Sequence, residues 1–312
     1  MKILITGSLG HIGSKLIRFL PSNLNNVEIY MLDCFITNRY TSLFNLPKNV
    51  NYKFYELDIN KSDIEFLFKK NLDFVVHLAA LTEATTSIEK PEEYEKINFE
   101  STKKVAQLCD TYNVKLVHFS STSIYGSKEN DFIEESDKEK INPQSPYASI
   151  KYKEEKFLLD LFNKNKLKFT TLRLGSICGI SPGMRFHSAI SKFCYQSALN
   201  IPLSVWKTAL NQSRPFLNIN DAIRAICFFL KLNNFSNQSY NVVTANYSVK
   251  ELVDIITKYK NDTQLKLVDS KIMNDYSYNV STVKIKNLGF EFRYTIEDGI
   301  KETLELLSGI KN

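Results

Sequence analysis

At 312 residues the chain is long enough for two domains, or for one large α/β unit with an appended lobe. Its 43% apolar and 24% charged residues exclude wholesale disorder, collagen-like repeats and coiled coil, and no run of 18 apolar residues is present to span a membrane. The net charge of +6 comes from 33 Lys and 7 Arg interleaved with acids. It forms no block of the kind nucleic-acid binders use, so it reads as a solvated surface with some attraction for anionic small molecules. No nucleic-acid or membrane partner is expected. The cysteines Cys34, Cys109, Cys178, Cys194 and Cys227 are odd in number and never spaced as CxxC, which points to reduced thiols rather than disulfides or a metal site. The opening Met1-Lys2-Ile3-Leu4-Ile5-Thr6-Gly7 lacks the long apolar region and cleavage site of a signal peptide, which places the protein in the cytoplasm.

Six short β-branched or aromatic runs precede residue 175: Lys2–Thr6, Val27–Leu32, Tyr52–Leu57, Phe74–Leu78, Lys115–Phe119 and Phe169–Leu174. Segments with helical spacing separate them. Alternation of this kind builds βαβ units and a doubly wound parallel sheet, a Rossmann-like α/β fold. Beyond residue 175 the order weakens. Helices are expected near 184–200, 219–231, 248–259 and 296–308, with short strands at Tyr240–Val243 and Leu265–Val268. The division that follows is a dinucleotide-binding domain over 1–175 carrying the reactive residues, and a smaller mixed α/β lobe over 176–312, chiefly for substrate, with some segments returning to the first domain.

The first strand runs into Gly7-Ser8-Leu9-Gly10-His11-Ile12-Gly13, and a helix begins at once. One glycine permits the tight turn, one lets backbone approach a pyrophosphate, and one lets the helix pack on the strand, while the helix start offers free N–H groups. Asp33, twenty residues beyond Gly13, is placed to accept the adenosine ribose hydroxyls and to repel a 2′-phosphate, so NAD is expected rather than NADP. Arg39 lies near in sequence but not beside the ribose position. Asp58, with Ile59 after it, either meets the adenine or caps the following segment.

Reactive side chains gather in Ser120-Ser121-Thr122-Ser123-Ile124-Tyr125-Gly126 and in Ser145-Pro146-Tyr147-Ala148-Ser149-Ile150-Lys151. Ser145 suits an N-cap and Pro146 the first helical position. Tyr147 and Lys151, four apart, share a helix face, and an ammonium favours the phenolate. Half-ionising a tyrosine at pH 7 requires a shift of roughly 3 units from about 10, or about 4 kcal/mol. A buried lysine together with a cationic nicotinamide ring can supply that; one exposed lysine cannot. Tyr-x-x-x-Lys alone is weak, because this composition yields about 1.7 such pairs by chance. The second pair, Tyr152 and Lys156, is rotated about 140° along the helix and cannot face the same cleft.

These features, with His77-Leu78-Ala79-Ala80 and Arg214-Pro215-Phe216-Leu217-Asn218-Ile219-Asn220-Asp221, make the chain resemble the extended short-chain dehydrogenase/reductase superfamily. Within it the resemblance is to the NAD-dependent nucleotide-sugar epimerase/dehydratase family to which UDP-glucose 4-epimerase belongs, and it spans nearly the whole chain. The resemblance implies that Tyr147 is the general base, that Lys151 binds the nicotinamide ribose and tunes Tyr147, and that Ser121 hydrogen-bonds the reacting hydroxyl. Gly7, Gly10, His11, Ile12, Gly13, Leu78, Ala79 and Ala80 would contact NAD. Thr82, Ser123, Ser176, Arg185, Trp206 and Arg214 would face a UDP- or GDP-linked sugar, Arg214 being the best phosphate ligand, and Trp206 either stacking on the base or packing in the core. No metal is implied.

Three departures narrow the reading. The Asp-Glu that dehydratases of this family carry after the catalytic Ser/Thr is replaced by Thr122-Ser123, which disfavours dehydration. Ser176 stands where epimerases place an Asn on the pyrophosphate. The second phosphate-binding Arg is missing from Asp269–Val280, where only Lys271 offers a point charge. The expected activity is hydride abstraction from a hexose or heptose, at C4, giving a 4-keto sugar as intermediate of an epimerase or product of a dehydrogenase. A reductase of a nucleotide-linked keto sugar, and a non-catalytic NAD-binding or RNA-binding scaffold, are the alternatives; Ser121, Tyr147 and Lys151 count against the scaffold. A homodimer is expected through helices near 92–112 and 147–164, with Phe157, Leu158, Leu161 and Phe162 as an apolar stripe.

Overall fold

A computed structural model describes residues 1–126, 132–165, 167–233, 235–269 and 277–309. Its strands are β1 (Lys2–Thr6), β2 (Glu28–Asp33), β3 (Asn51–Glu56), β4 (Phe74–His77), β5 (Lys115–Ser121), β6 (Phe132–Ile133), β7 (Phe169–Leu174), β8 (Ser176–Cys178), β9 (Leu203–Trp206), β10 (Ser213–Asn218), β11 (Ser239–Val242), β12 (Ala245–Ser248), β13 (Leu265–Val268) and β14 (Asn279–Val280). Seven of them form one sheet in the order β11-β7-β5-β4-β1-β2-β3, every neighbouring pair parallel. The order reverses between β1 and β4, and in doubly wound sheets ligands bind beyond the strand ends at that switch point.

Alternation along β1 shows how both faces are covered. Ile3 and Ile5 point into a layer with Leu16, Ile17, Ile226 and Phe229, whereas Leu4 points into the opposite layer with Phe68, Val105, Leu116 and Leu158. Parallel strands buried on both faces must be apolar almost continuously. A third apolar cluster, including Ile190, Phe193, Leu203, Leu252 and Ile300, sits under the smaller sheets β12-β10-β8 and β13-β9.

Several boundaries differ from the sequence reading for physical reasons. The short strand expected at Tyr240–Val243 is β11, and it extends the main sheet beside β7, with Tyr240 and Val242 in the same apolar layer as Phe229. The helix expected from 184 begins only at Ala189. Residues before it run against the glycine loop so closely that a Cβ on Gly183 would lie 2.2 Å from the Leu9 carbonyl oxygen. The helix expected over 92–112 contains a π turn, Glu95–Phe99, between Pro91–Tyr94 and Glu100–Thr111. No helix among the described residues is long and apolar enough to cross a membrane.

Candidate active site

The glycine loop is shaped by backbone contacts. Gly7 has φ +64°, and a Cβ there would meet the Leu78 carbonyl carbon and the Ala79 nitrogen at 2.7 Å. A Cβ on Gly13 would lie 2.4 Å from the Gly7 oxygen, while one on Gly10 would meet that oxygen only at 3.1 Å. Gly10 N–H donates to the Gly7 carbonyl at 3.0 Å and closes the turn. The helix His11–Asn23 then starts with no side-chain cap and no acid in its first turn, so its N–H groups remain directed at the cleft. His11 lies at this start, and its Nε2–H donates to the Gly179 carbonyl at 2.8 Å. Burial first, and then the nearby Arg39, His187 and Lys15, bring its pKa to about 4, so its ring is neutral.

Asp33 stands at the end of β2 beside this loop, its two oxygens accepting from the Leu9 and Phe35 N–H groups at 3.1 Å each. Arg39 also approaches Gly10, and its buried Nε has no hydrogen-bond partner among the described residues. A loop that glycine alone permits, an acid at the second strand's end and an unsatisfied buried guanidinium nitrogen fit a dinucleotide. Gly7, Gly10, His11, Ile12, Gly13, Leu78 and Ala80 line the cleft. Asp33, Asp58, Ile59 and Ala79 lie outside that lining. Asp58 accepts from Asn60 N–H at 2.9 Å and pairs with Lys61 at 3.2 Å, which is local capping, and the Ile59 side chain is in the core.

At the other end Ser145 Oγ accepts from Ala148 N–H at 3.2 Å and caps the helix Pro146–Asn165. This sets Tyr147 and Lys151 on its cleft-facing side, where both join Ser120, Ser121, Thr122 and Ser123 in the lining. Ser121 Oγ accepts from Ser123 N–H at 3.1 Å and from Ser123 O–H at 2.9 Å. Both lone pairs are used, so its own hydrogen is left to donate toward Tyr147 or a substrate oxygen. Burial raises the Tyr147 pKa; Lys151 opposes this and Glu154 reinforces it. The lysine alone therefore leaves the phenol protonated at neutral pH. Tyr152 is turned away, beneath the Lys156 ammonium and against the Ile124–Tyr278 cluster.

Ser176, Arg185 and Arg214 line the substrate side together with Thr82 and Ser123. Arg185 Nη2 donates to Thr82 Oγ1 at 3.0 Å, and Arg214 is held by the Ser213 carbonyl and Gln212 Oε1 over the Tyr278 ring. Trp206 ends β9 next to β13, outside the lining. Lys271 is outside the described residues. His77, Arg39, His187 and Tyr278 line the cleft without having been singled out as site residues by the sequence. Tyr278 follows a segment with no periodicity, and only long-range packing brings it beneath Arg214. No Asp or Glu lines the cleft among the described residues, whereas Arg39, Lys151, Arg185 and Arg214 do. That is an anion-accepting cleft.

Glycine loop, parallel sheet and a cleft-lining Ser–Tyr–Lys group define a dinucleotide-dependent enzyme of the short-chain dehydrogenase/reductase type. The chain belongs to the NAD dependent epimerase/dehydratase family, whose model matches residues 3–243. It is 27% identical over 354 residues to a dTDP-D-glucose 4,6-dehydratase of Dictyostelium discoideum, covering 97% of this chain and 80% of that one. It is 26% identical over 309 residues to a putative UDP-glucose 4-epimerase of Methanocaldococcus jannaschii, covering 97% of each. Among solved structures, a UDP-glucuronic acid 4-epimerase from Bacillus cereus superposes with a TM-score of 0.90 at 23% identity over 99% of both chains. A UDP-N-acetylglucosamine 4-epimerase from Methanobrevibacter ruminantium does so at 0.87 and 24%, again over 99% of both.

Proposed function

We propose that the protein oxidises a hydroxyl, at C4, of a nucleotide-linked hexose or heptose and returns or releases the resulting 4-keto sugar. The carrying observation is a cleft lined by arginines and free of carboxylates among the described residues, with Ser121, Tyr147 and Lys151 together in its lining. Arg185 and Arg214 suit the two phosphates of the substrate. Ser121 holds the sugar hydroxyl through its unused hydrogen, and Tyr147 accepts the proton of that hydroxyl. Lys151, a buried ammonium on the same helix face as Tyr147, favours the phenolate that forms. NAD, when bound, supplies the acceptor for the two electrons. Asp33 and the glycine loop hold its adenosine and pyrophosphate, and Lys151 the nicotinamide ribose. Residues 1–175 carry this machinery, and residues 176–312 chiefly the nucleotide-sugar contacts.

Elimination of water needs an acid and a base next to the catalytic serine. Here Thr122 Oγ1 donates to the Leu174 carbonyl at 3.2 Å and Ser123 donates to Ser121. Neither supplies a carboxylate, which favours the epimerase or dehydrogenase outcome over the dehydratase. The test is incubation with UDP-, GDP-, dTDP- and ADP-sugars, heptoses included, followed by mass and NMR analysis. An isomer of unchanged mass is the epimerase outcome and loss of two hydrogens the dehydrogenase outcome. Loss of water, or no turnover of any nucleotide sugar, would overturn the reading.

The five free cysteines, four of them buried, support a reducing compartment, the cytoplasm. We also read the protein as a homodimer through the helices ending at Thr111 and Asn165. Leu158 belongs to the subunit's own core, but Phe157, Leu161 and Phe162 stay partly uncovered and Leu159 is exposed. A single 36 kDa species in sedimentation at micromolar concentration would exclude that assembly.

A further inference from the structure

Beneath the Tyr147–Lys151 pair lies a second polar group that the proposed chemistry does not use. Lys151 Nζ donates to Glu154 Oε2 at 2.9 Å, and His118 Nε2 lies 2.9 Å from the same oxygen. His118 Nδ1 is 3.1 Å from Thr171 Oγ1. Glu154, His118 and Thr171 are all fully buried, and the second oxygen of Glu154 has no partner among the described residues. The strand pattern explains the placement. On β5, Val117 and Phe119 face one layer while Leu116 and His118 face the layer covered by the helix Pro146–Asn165, and the register sets His118 beside His77 on β4 and Thr171 on β7.

Glu154 Oε2 accepts from the Lys151 ammonium and from His118 Nε2–H, while His118 Nδ1 and the Thr171 hydroxyl share one hydrogen bond. Lys151 and Glu154 set one ammonium against one carboxylate, in a place where an isolated ammonium would give up its proton. The charged and titratable groups facing Lys151 are Tyr147, Glu154 and Glu155 on its own helix, His118 on β5 and His77 on β4. Glu155 is engaged by Arg173, at 2.7 Å, and His77 is held between Thr6 and Thr102. Glu154 is therefore the carboxylate that counters Lys151. Consistent with this, burial works to lower the Lys151 pKa, yet Glu154 and then Tyr147 leave it above the ordinary lysine value.

We propose that Glu154, braced by His118, is the positioning residue of Lys151, holding its ammonium charged and fixing its nitrogen so that the remaining two N–H groups point into the cleft. The inference rests on the reading of Tyr147 and Lys151 as the reactive pair. Glu154 does not convey protons: the chain of bonds ends at Thr171, which is fully buried, and offers no exit to solvent.

The test is a pH titration of the full chain labelled with carbon-13 at lysine Cε, the Lys151 signal being the one absent from Lys151→Met. In the wild type that signal is expected to titrate above the ordinary lysine value, and a step below that value would overturn the proposal without any further variant. In Glu154→Gln the step should fall by at least one pH unit, a tenfold change in the acid constant; a smaller displacement would overturn it. Glu154→Asp, which keeps the charge, should recover at least half of the displacement, and no recovery would show that shape rather than charge matters and would overturn it. No sugar enters these measurements. A negative substrate panel would leave them standing, and their failure would leave the assignment of Tyr147 intact.

Discussion

The two ends of the cleft are held by different means. At the nucleotide end the shape comes from backbone: Gly7, Gly10 and Gly13 bring three stretches of chain within contact distance, and His11, neutral at ordinary pH, ties the helix start to the Gly179 carbonyl. At the reactive end the shape comes from buried charge. The adjacent Glu154 and Glu155 each hold a cation from inside the core, Lys151 for one and Arg173 for the other, with the Tyr125 hydroxyl oxygen accepting from Arg173 Nη1 at 2.6 Å. The backbone contacts themselves carry no titratable group, and at Gly7 and Gly13 they leave no room for a methyl group. A charged cluster tolerates volume and fails when a proton or a partner is lost. The two regions should therefore break under different substitutions, and the largest effects belong to the reactive end.

Tyr147→Phe should lower turnover of whichever nucleotide sugar the panel identifies by about 10²–10⁴-fold, the usual cost of losing a general base. NAD affinity, measured calorimetrically, should stay within threefold, because the nucleotide end is untouched. Turnover within threefold of wild type would remove the chemistry from this residue.

Glu155→Gln separates the neighbouring glutamates. Breaking one partner of a buried ion pair costs about 3–5 kcal/mol, and Arg173 and Ser239 both donate to this carboxylate, with Tyr125 in turn bonded to Arg173. Denaturant unfolding should show a loss of that size. The Lys151 titration should move less than in Glu154→Gln, since Glu154 is the nearer carboxylate and Glu155 the lesser influence; a displacement as large as that of Glu154→Gln would merge the two clusters into one.

His11 links stability at the nucleotide end to pH. Its folded pKa of about 4 lies below the ordinary 6.5, so between those values the unfolded chain binds the extra proton and the native state does not. Stability must then rise with pH across the window from 4 to 6.5 and fall as acid is added, by up to about 3 kcal/mol from this group. His11→Asn should flatten that part of the profile in thermal unfolding followed against pH. An unchanged slope would assign the acid sensitivity to His77, which burial also keeps neutral.

How much of each end was legible in the sequence follows from the same contrast. A backbone cradle announces itself, because Gly7, Gly10 and Gly13 sit at fixed offsets after a strand, and Asp33 falls at the end of the next one. The Tyr147–Lys151 pair was legible because a helix repeats every 3.6 residues and Ser145-Pro146 marks its start. The charges beneath were not. His118 reads as one more residue of an apolar strand, and Glu154 as one more acid on a lysine-rich helix; only the packing of that helix over β5 joins them. Tyr278 was hidden for the same reason, its partners Ser213 and Arg214 lying far off in sequence, and nothing in the sequence near Arg39 shows that it approaches Gly10. Trp206 was drawn toward the site by the family resemblance, and it ends β9 outside the cleft lining.

The smallest expected effects divide the glycines themselves. A Cβ on Gly13 would press into the Gly7 oxygen at 2.4 Å and the Ser8 backbone at 2.8 Å, and backbone on both sides cannot yield as a side chain can. Gly13→Ala should cost about 1–3 kcal/mol of stability, the range for overpacking, and weaken NAD as a consequence. Gly10 differs: its Cβ would meet the Gly7 oxygen at 3.1 Å and the movable tip of Arg39 at 3.5 Å, and its φ of −67° suits alanine. Gly10→Ala should thus fold with stability within about 1 kcal/mol of wild type, ordinary for a site without a severe clash. Because the added methyl group stands at the start of the helix, where the pyrophosphate must come close to backbone N–H groups, NAD affinity should nevertheless fall about tenfold. Paired denaturation and calorimetry on the two variants would read both quantities. If Gly10→Ala bound NAD as the wild type does, the second glycine would serve only the turn, and the pyrophosphate would have to rest further along the cleft, toward Arg39 and Arg185.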